Sequence, residues 1–342
     1  MSLASIPELS PEDSLRLNVL LAGEVLAVRL DEGARTLHAL TPKGEARIAL
    51  NPAGRPDRYF QQVRELLGGH ALGSPGGYPV HLRRWTRMGQ ASEKNLEALL
   101  KLGAPEAVMA VAYAPGLTDE LARRTWWAAQ QLATMDIARA MLAQPAVRAG
   151  QMGRVLADHL IDHLPFEEDP IAAMHSVRAV LAAGLLDAAQ RDPLWAKGKR
   201  RPHYLIGFLE SQADELPPEA PRDLPAGLPD TPAGRLLGWC CSGVGQSYLK
   251  AAELALDRPP AHEAVYLLLD LLGDRFADAR EVASLSAWPA DAAALAALAG
   301  VSNVTAEPIL RQTTAVGPLM RRHLEPVIGP IIGHLRILRG LP

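Results

Sequence analysis

Cysteine is nearly missing from this chain: its 342 residues hold two, Cys240 and Cys241, and they are adjacent. A secreted disulfide framework needs well-spaced pairs, so that class is excluded and a reducing compartment is expected. Aromatic residues are scarce as well, at 5%. Ala and Leu are abundant instead, and both lose little rotamer freedom in a helix, which argues for helices packed on helices. There is no excess of positive charge. The formal net charge is −3, whereas a protein that holds nucleic acid over a broad face normally carries a basic surplus, so such binding would need a local patch. Long apolar runs are missing too, since nothing approaches the roughly 18 uninterrupted apolar residues of a membrane span. The apolar stretch Val327 to Leu338 is interrupted by Gly329-Pro330, Gly333, His334 and Arg336. Met1 to Glu8 has no basic region, and Val19 to Ala22 is too short for a signal-peptide core. The expectation is a soluble, cytoplasmic chain with no membrane partner.

What is present is an ordinary globular balance, 48% hydrophobic and 21% charged, which excludes global disorder. Ser10-Pro11-Glu12-Asp13 has the signature of a helix start: a capping serine, proline at the first position and acids in the first turn. Leu17, Leu20 and Leu21 then share a face. After Gly23 the period changes to two. The runs Leu26 to Leu30, Thr36 to Thr41 and Glu45 to Leu50, separated by Asp31-Glu32-Gly33 and Pro42-Lys43-Gly44, predict a three-stranded antiparallel meander. From Asp57 onward the pattern is helical. It predicts helices over Tyr59 to Leu67, ended by Gly68-Gly69, over Ser92 to Lys101, from Pro105, and from a Thr118 cap. Further helices are expected near 133–144, 146–163, 169–190, 203–214, 232–256, 261–273, 277–286, 290–299 and 306–324. No fixed repeat is found. The expected fold is mainly α, a multi-helix bundle or an irregular α-solenoid, with a small β-meander near the N-terminus. The expected organisation is a 1–90 segment with the meander and a glycine- and arginine-rich loop, a helical 91–216, a proline-rich linker or surface loop at 217–232, and a helical 233–342.

Five features could carry chemistry. The most unusual is the loop Gly73, Gly76, Gly77 and Tyr78 running into His81, Arg83, Arg84, Trp85 and Arg87. Glycines allow close backbone approach, and arginines with an interleaved tryptophan can pair with anions or stack on bases. It is the chosen binding candidate, since function concentrates in unusual loops on rigid scaffolds. A second basic cluster, Lys197, Lys199, Arg200, Arg201 and His203, is flanked by Trp195 and Tyr204. His159 and His163 lie one helical turn apart and could face one metal ion. No glutamate stands between them and no third ligand is visible, so a solvated polar stripe is the favoured reading and no metal is expected. Cys240-Cys241 lack the C-x-x-C spacing of redox or metal sites and suit core filling. The following Ser242-Gly243-Val244-Gly245-Gln246-Ser247 has Gln246 where a phosphate loop needs lysine, so glycine at a bend is expected. No Gly-x-Ser-x-Gly elbow occurs. No catalytic residues, cofactor or enzyme activity can be assigned.

Three strings carry a family likeness: Ser10-Pro11-Glu12-Asp13-Ser14-Leu15-Arg16-Leu17-Asn18, the loop Gly73 through Gln90, and Pro115-Gly116-Leu117-Thr118-Asp119-Glu120-Leu121-Ala122-Arg123-Arg124. In them the chain resembles the sulfur reduction protein DsrS family, accessory proteins of the dissimilatory sulfite reductase locus in sulfur-oxidising bacteria. The resemblance implies a cytoplasmic accessory or regulatory protein with protein partners in the sulfur-oxidation machinery. It brings no catalytic residues, and nothing in the chain matches siroheme or iron–sulfur ligation. Two alternatives stay open: a nucleic-acid-binding regulator acting through the arginine-rich loop, and a thiol- or metal-dependent sulfur-handling enzyme or carrier.

Overall fold

The computed structural model describes residues 9–52, 55–72, 93–130, 132 and 134–341. The chain divides into two compact units, 1–159 and 160–342. Among the described residues there are 18 α-helices and one three-stranded sheet, so the fold is mainly α with a β-meander near the N-terminus.

In the first unit, α1 (Pro11–Leu21) begins as its sequence requires, with the Ser10 hydroxyl accepting from Asp13 N. The strands β1 (Ala27–Asp31), β2 (Thr36–Thr41) and β3 (Gly44–Ala49) pair antiparallel in the order β1-β2-β3. Their register sets Leu30 beside Leu37 and Leu37 beside Ile48, and on the other face Arg29 beside His38 and His38 beside Arg47. Because side chains alternate along a strand, one face becomes apolar and the other charged. The apolar face packs with Leu17 and Leu21 of α1 and with Tyr59, Phe60, Val63 and Leu67 of α2 (Pro56–Leu72). Each such side chain, fully buried, contributes about 1.5–3 kcal/mol.

A buried carboxylate ties these elements together. Asp13 is 0% exposed. It accepts from the Tyr59 hydroxyl at 2.7 Å and from the backbone N–H of Asn51 at 3.1 Å. Burial by itself would raise its pKa, but the hydrogen bonds from Tyr59, Asn51 and Ser10 prevail and hold it below its ordinary value.

Beyond the sheet come α3 (Glu93–Leu100), α4 (Pro105–Ala112), α5 (Asp119–Ala128), α6 (Thr134–Leu142), α7 (Pro145–Ala149) and α8 (Gln151–His163), within which the two units divide. Thr118 caps α5 as expected, accepting from Leu121 N at 3.3 Å. Two boundaries differ from expectation. The second helix runs through Gly68-Gly69 to Leu72, because Leu67 is locked in the core and packing outweighs a propensity cost of about 1 kcal/mol per glycine. The single helix expected over 146–163 is two, broken at Gly150. The Asp119 carboxylate reaches across to cap the second one, accepting from Gln151 N at 3.1 Å and Met152 N at 2.9 Å.

The second unit contains α9 (Pro170–Ala183), α10 (Ala188–Gly198), α11 (His203–Ser211), α12 (Pro232–Cys241), α13 (Gly243–Asp257), α14 (His262–Arg275), α15 (Pro289–Ala299), α16 (Asn303–Leu310), α17 (Gly317–His323) and α18 (Glu325–Leu338). Partners are not simply sequence neighbours: α9 packs on α11, α11 on α13, α14 on α16, and α18 on both α13 and α15. Contacts between helices two apart suit a bundle or a stack of helix pairs alike, whereas the packing of α18 on α13, five helices earlier, is one that a solenoid of neighbouring repeats does not make.

The helix expected over 169–190 stops at Gly184, whose φ of +67° is left-handed, and α10 starts afresh from an Asp187–Gln190 capping box. The one expected over 232–256 breaks at Ser242, and that over 306–324 breaks after Leu310. In place of a helix at 277–286 there are two 3₁₀ turns.

The proline-rich stretch 217–232 lies inside the second unit rather than between the units. Its backbone is fastened by Glu219 N to Gly243 O at 3.0 Å and Arg222 N to Cys241 O at 2.9 Å. The Arg222 guanidinium makes a bidentate pair with the buried Asp291, at 2.7 and 3.1 Å, and reaches the carbonyls of Ile337 and Leu338 at 3.3 Å each. Among the described residues no single helix is long and apolar enough to cross a membrane.

Asp13→Ala strands a buried phenol and a backbone N–H, and is expected to destabilise the protein by about 3 kcal/mol in urea unfolding. Because the folded pKa is depressed, the wild-type contribution is complete above the ordinary carboxylate value and fades as the pH falls below about 4. A loss under about 0.5 kcal/mol, the range of ordinary surface substitutions, would refute the role given to Asp13.

Candidate functional site

The favoured loop, Gly73, Gly76, Gly77, Tyr78, His81, Arg83, Arg84, Trp85 and Arg87, lies outside the described residues. The other sequence candidates have definite surroundings.

Cys240 and Cys241 close α12 and are buried, free thiols. Burial pushes both thiols above their ordinary pKa, and at Cys240 this exceeds the opposing pull of Arg275. A thiol attacks or binds metal as the thiolate, so burial disfavours the reactive form of both while their side chains fill core space. His159 stands edge-on to Trp126, ring centres 4.7 Å apart, with Nε2 3.1 Å from the Thr134 hydroxyl. His163, one turn on, is exposed. Among the described residues no group of three or more His, Cys, Asp or Glu side chains is placed to hold a metal ion.

The Ser242–Ser247 stretch is a helix junction. Ser242 Oγ accepts from Gly245 N at 3.0 Å, and the Gln246 amide donates to Cys240 O at 2.7 Å and Leu338 O at 3.2 Å. A Cβ on Gly245 would collide with the carbonyl oxygen of Trp239. Glycine is required here by the tight turn between helices, and the amide side chain that replaces a phosphate loop's lysine points into the bundle.

The basic cluster, by contrast, faces a cleft. Lys197, Arg200, Arg201 and Tyr204, at the end of α10 and the start of α11, line a space of about 350 Å³ together with Leu164 and Pro165. Lys197, Lys199, Arg200 and Arg201 are exposed, Tyr204 is buried and His203 is half-buried. Arg201 donates to the Tyr204 hydroxyl at 2.9 Å and lies over its ring. The two aromatic residues flanking the cluster are used in packing: Trp195 is edge-on to Phe208 at 5.1 Å, and Tyr204 is edge-on to His203 at 4.9 Å. Burial and the neighbouring Arg201 charge bring the His203 pKa down to about 4.

Two surface features of the first unit were not anticipated. One is an apolar groove of about 510 Å³ between α1 and β3, walled by Leu15, Val19, Leu20 and Ile48 with Arg16 and Arg47 alongside. The other is a polar layer on the charged face of the sheet. Glu45 accepts from Arg47 Nε at 3.1 Å and Trp127 Nε1 at 3.2 Å, with His38 Nδ1 at 2.8 Å, while the Arg29 guanidinium lies 5.0 Å over Trp127. The His38 bond, with those of Arg47 and Trp127, lowers the Glu45 pKa to about 2. The row Arg29, His38, Arg47 on one sheet face was a sequence signal for a nearby counter-charge; Trp127, 82 residues from Glu45, carried none.

No protein-family model, curated protein or solved structure matches the chain.

Two measurements check these environments. In a thiol titration with a bulky disulfide reagent, neither cysteine should react in the native protein and both should react once it is unfolded; rapid native labelling would contradict the burial. The lowered His203 pKa means that the unfolded chain binds the extra proton first. Its contribution to stability is therefore full above about 6.5 and is lost as the pH falls from there towards 4. Melting of wild type against His203→Gln should diverge in that window, and parallel curves from pH 7 to 5 would remove the effect.

Proposed function

We propose that this chain is a non-catalytic accessory or regulatory protein of bacterial sulfur oxidation, acting in the cytoplasm through protein partners of the dissimilatory sulfite reductase system. The observation that carries the interaction reading is the groove between α1 and β3. Leu15 and Val19, one helical turn apart, leave 65% and 67% of their surface exposed beside Ile48. Large aliphatic side chains grouped in a concavity, with arginines at the rim, have the composition of a protein-docking face. Burial of both thiols and the use of His159 in packing support a binding role over a thiol or metal mechanism. The link to sulfur oxidation rests on the likeness of the three strings at Ser10–Asn18, Gly73–Gln90 and Pro115–Arg124 to the DsrS family. For the nucleic-acid reading, the rings beside the basic cluster give little support, because they pack against protein and offer no stacking platform.

The test is affinity purification of tagged wild type and of Leu15→Glu/Val19→Glu from a sulfur-grown host, with and without nuclease. Sulfite reductase or sulfur-carrier proteins should be enriched by the wild type, survive nuclease and be lost with the double variant, whose melting should be unchanged. Partners that disappear on nuclease treatment would transfer the function to nucleic acid. Partners retained by the double variant would exclude the groove.

A further inference from the structure

We infer that the cleft at the end of α10 binds a small phosphate monoester, its phosphate group held by Lys197, Arg200 and Arg201 and its organic part against Leu164 and Pro165. This site is separate from the docking groove and does not depend on which protein the chain contacts.

Charge bookkeeping leads to it. Most arginines elsewhere in the second unit face carboxylates, among them Arg178 with Glu210, Arg222 with Asp291, Arg275 with Asp214, and Arg336 and Arg339 with Glu253; Arg280 and Arg322, exposed and unpaired among the described residues, line no cavity with other cations. Among the described residues, no carboxylate lies within ion-pairing distance of Lys197, Arg200 or Arg201, although all three line one cavity. Asp169, close in sequence to the cavity wall, is occupied in capping α9, accepting from Ile171 N at 3.0 Å. Half-buried His203 is neutral near pH 7 and adds no charge. Three like charges around a concavity repel one another and focus a positive potential that an anion relieves.

The helix dipole is a competing account, because cations are favourable at a helix C-terminus. It covers Lys197, in the last turn of α10, but its influence fades within that turn. Arg200 and Arg201 lie beyond the end of the helix at Gly198.

The ligand class follows from the donors and the wall. Two guanidiniums with an ammonium suit the several oxygens and double charge of a phosphate monoester better than the single charge of a carboxylate. Tyr204 accepts from Arg201 and keeps its own proton to donate. A volume of about 350 Å³ is in the range of small-molecule sites, generous for a bare ion. Leu164 and Pro165 give it an apolar side, and Phe166 in the same 3₁₀ turn is 80% exposed beside them. A nucleic-acid strand fits less well, since the neighbouring aromatic rings are packed away.

The test is titration calorimetry of the full chain with phenyl phosphate and with inorganic phosphate at constant ionic strength. The variants are Lys197→Ala/Arg200→Ala and, as a control, Lys199→Ala, whose exposed side chain does not line the cleft. Phenyl phosphate is expected to bind saturably at one site and more tightly than inorganic phosphate. The double variant should weaken it by about tenfold or more with unchanged melting, and Lys199→Ala should leave it unaltered. Absence of saturable phenyl phosphate binding would overturn the site. An equal loss in Lys199→Ala, with displacement by a single-stranded oligonucleotide, would replace it with a diffuse basic face. Inorganic phosphate binding as tightly as phenyl phosphate would overturn the role of the apolar wall.

Discussion

A carboxylate withdrawn from water must be given donors, and among its described residues this chain buries one in each of its compact units. Asp13 in the first is 0% exposed and Asp291 in the second is 5% exposed. Each is placed where separate chain segments have to meet. Asp13 sits in the first turn of α1 and gathers the segment after β3, through Asn51, and the helix carrying Tyr59. Asp291 sits in the first turn of α15 and gathers Arg222 from the proline-rich stretch, whose guanidinium also reaches the last carbonyls of α18. Leaving either carboxylate without partners would be costly, so these contacts restrict how the surrounding elements can pack.

The scarcity of aromatic residues shapes the rest of the interior. With few large rings, helices are held together by Ala, Leu and Val, and backbones come close at glycines. At Gly207 a Cβ would stand 3.1 Å from the backbone nitrogen of Arg178 on α9. The two cysteines belong to the same economy of small apolar fillers, which is why their thiols are shielded from solvent. Among the described residues, two surface features that packing does not account for are an apolar groove on the first unit and a cationic cleft on the second.

How much of this could be read from the residues varies with the range of the forces involved. The start of α1, the Thr118 cap and the period-two runs of the meander were legible because each depends on neighbours within a few positions. The ends of helices were less so. Gly68-Gly69 reads as a stop, yet the helix continues because Leu67 is anchored in the core. Conversely 146–163 and 232–256 read as continuous and are broken where Asp119 and Ser242 supply caps. The basic cluster was visible as a string, but not that it borders a cavity, since Leu164 and Pro165 come from more than 30 residues upstream. The polar layer was hidden for the same reason, as Trp127 meets Glu45 across 82 residues.

By itself, then, the sequence determined the helical class, the position and order of the three strands, and the lack of a basic surplus or of spaced cysteines. These follow from composition, periodicity and local capping, which act over one or two turns of chain. Only the tertiary structure decided that the proline-rich stretch belongs to the second unit, that the adjacent cysteines are buried, and that Lys197, Arg200 and Arg201 share one cleft with no counter-charge among the described residues. Those outcomes depend on which distant side chains come into contact and which polar groups lose their water, and local pattern carries no record of either.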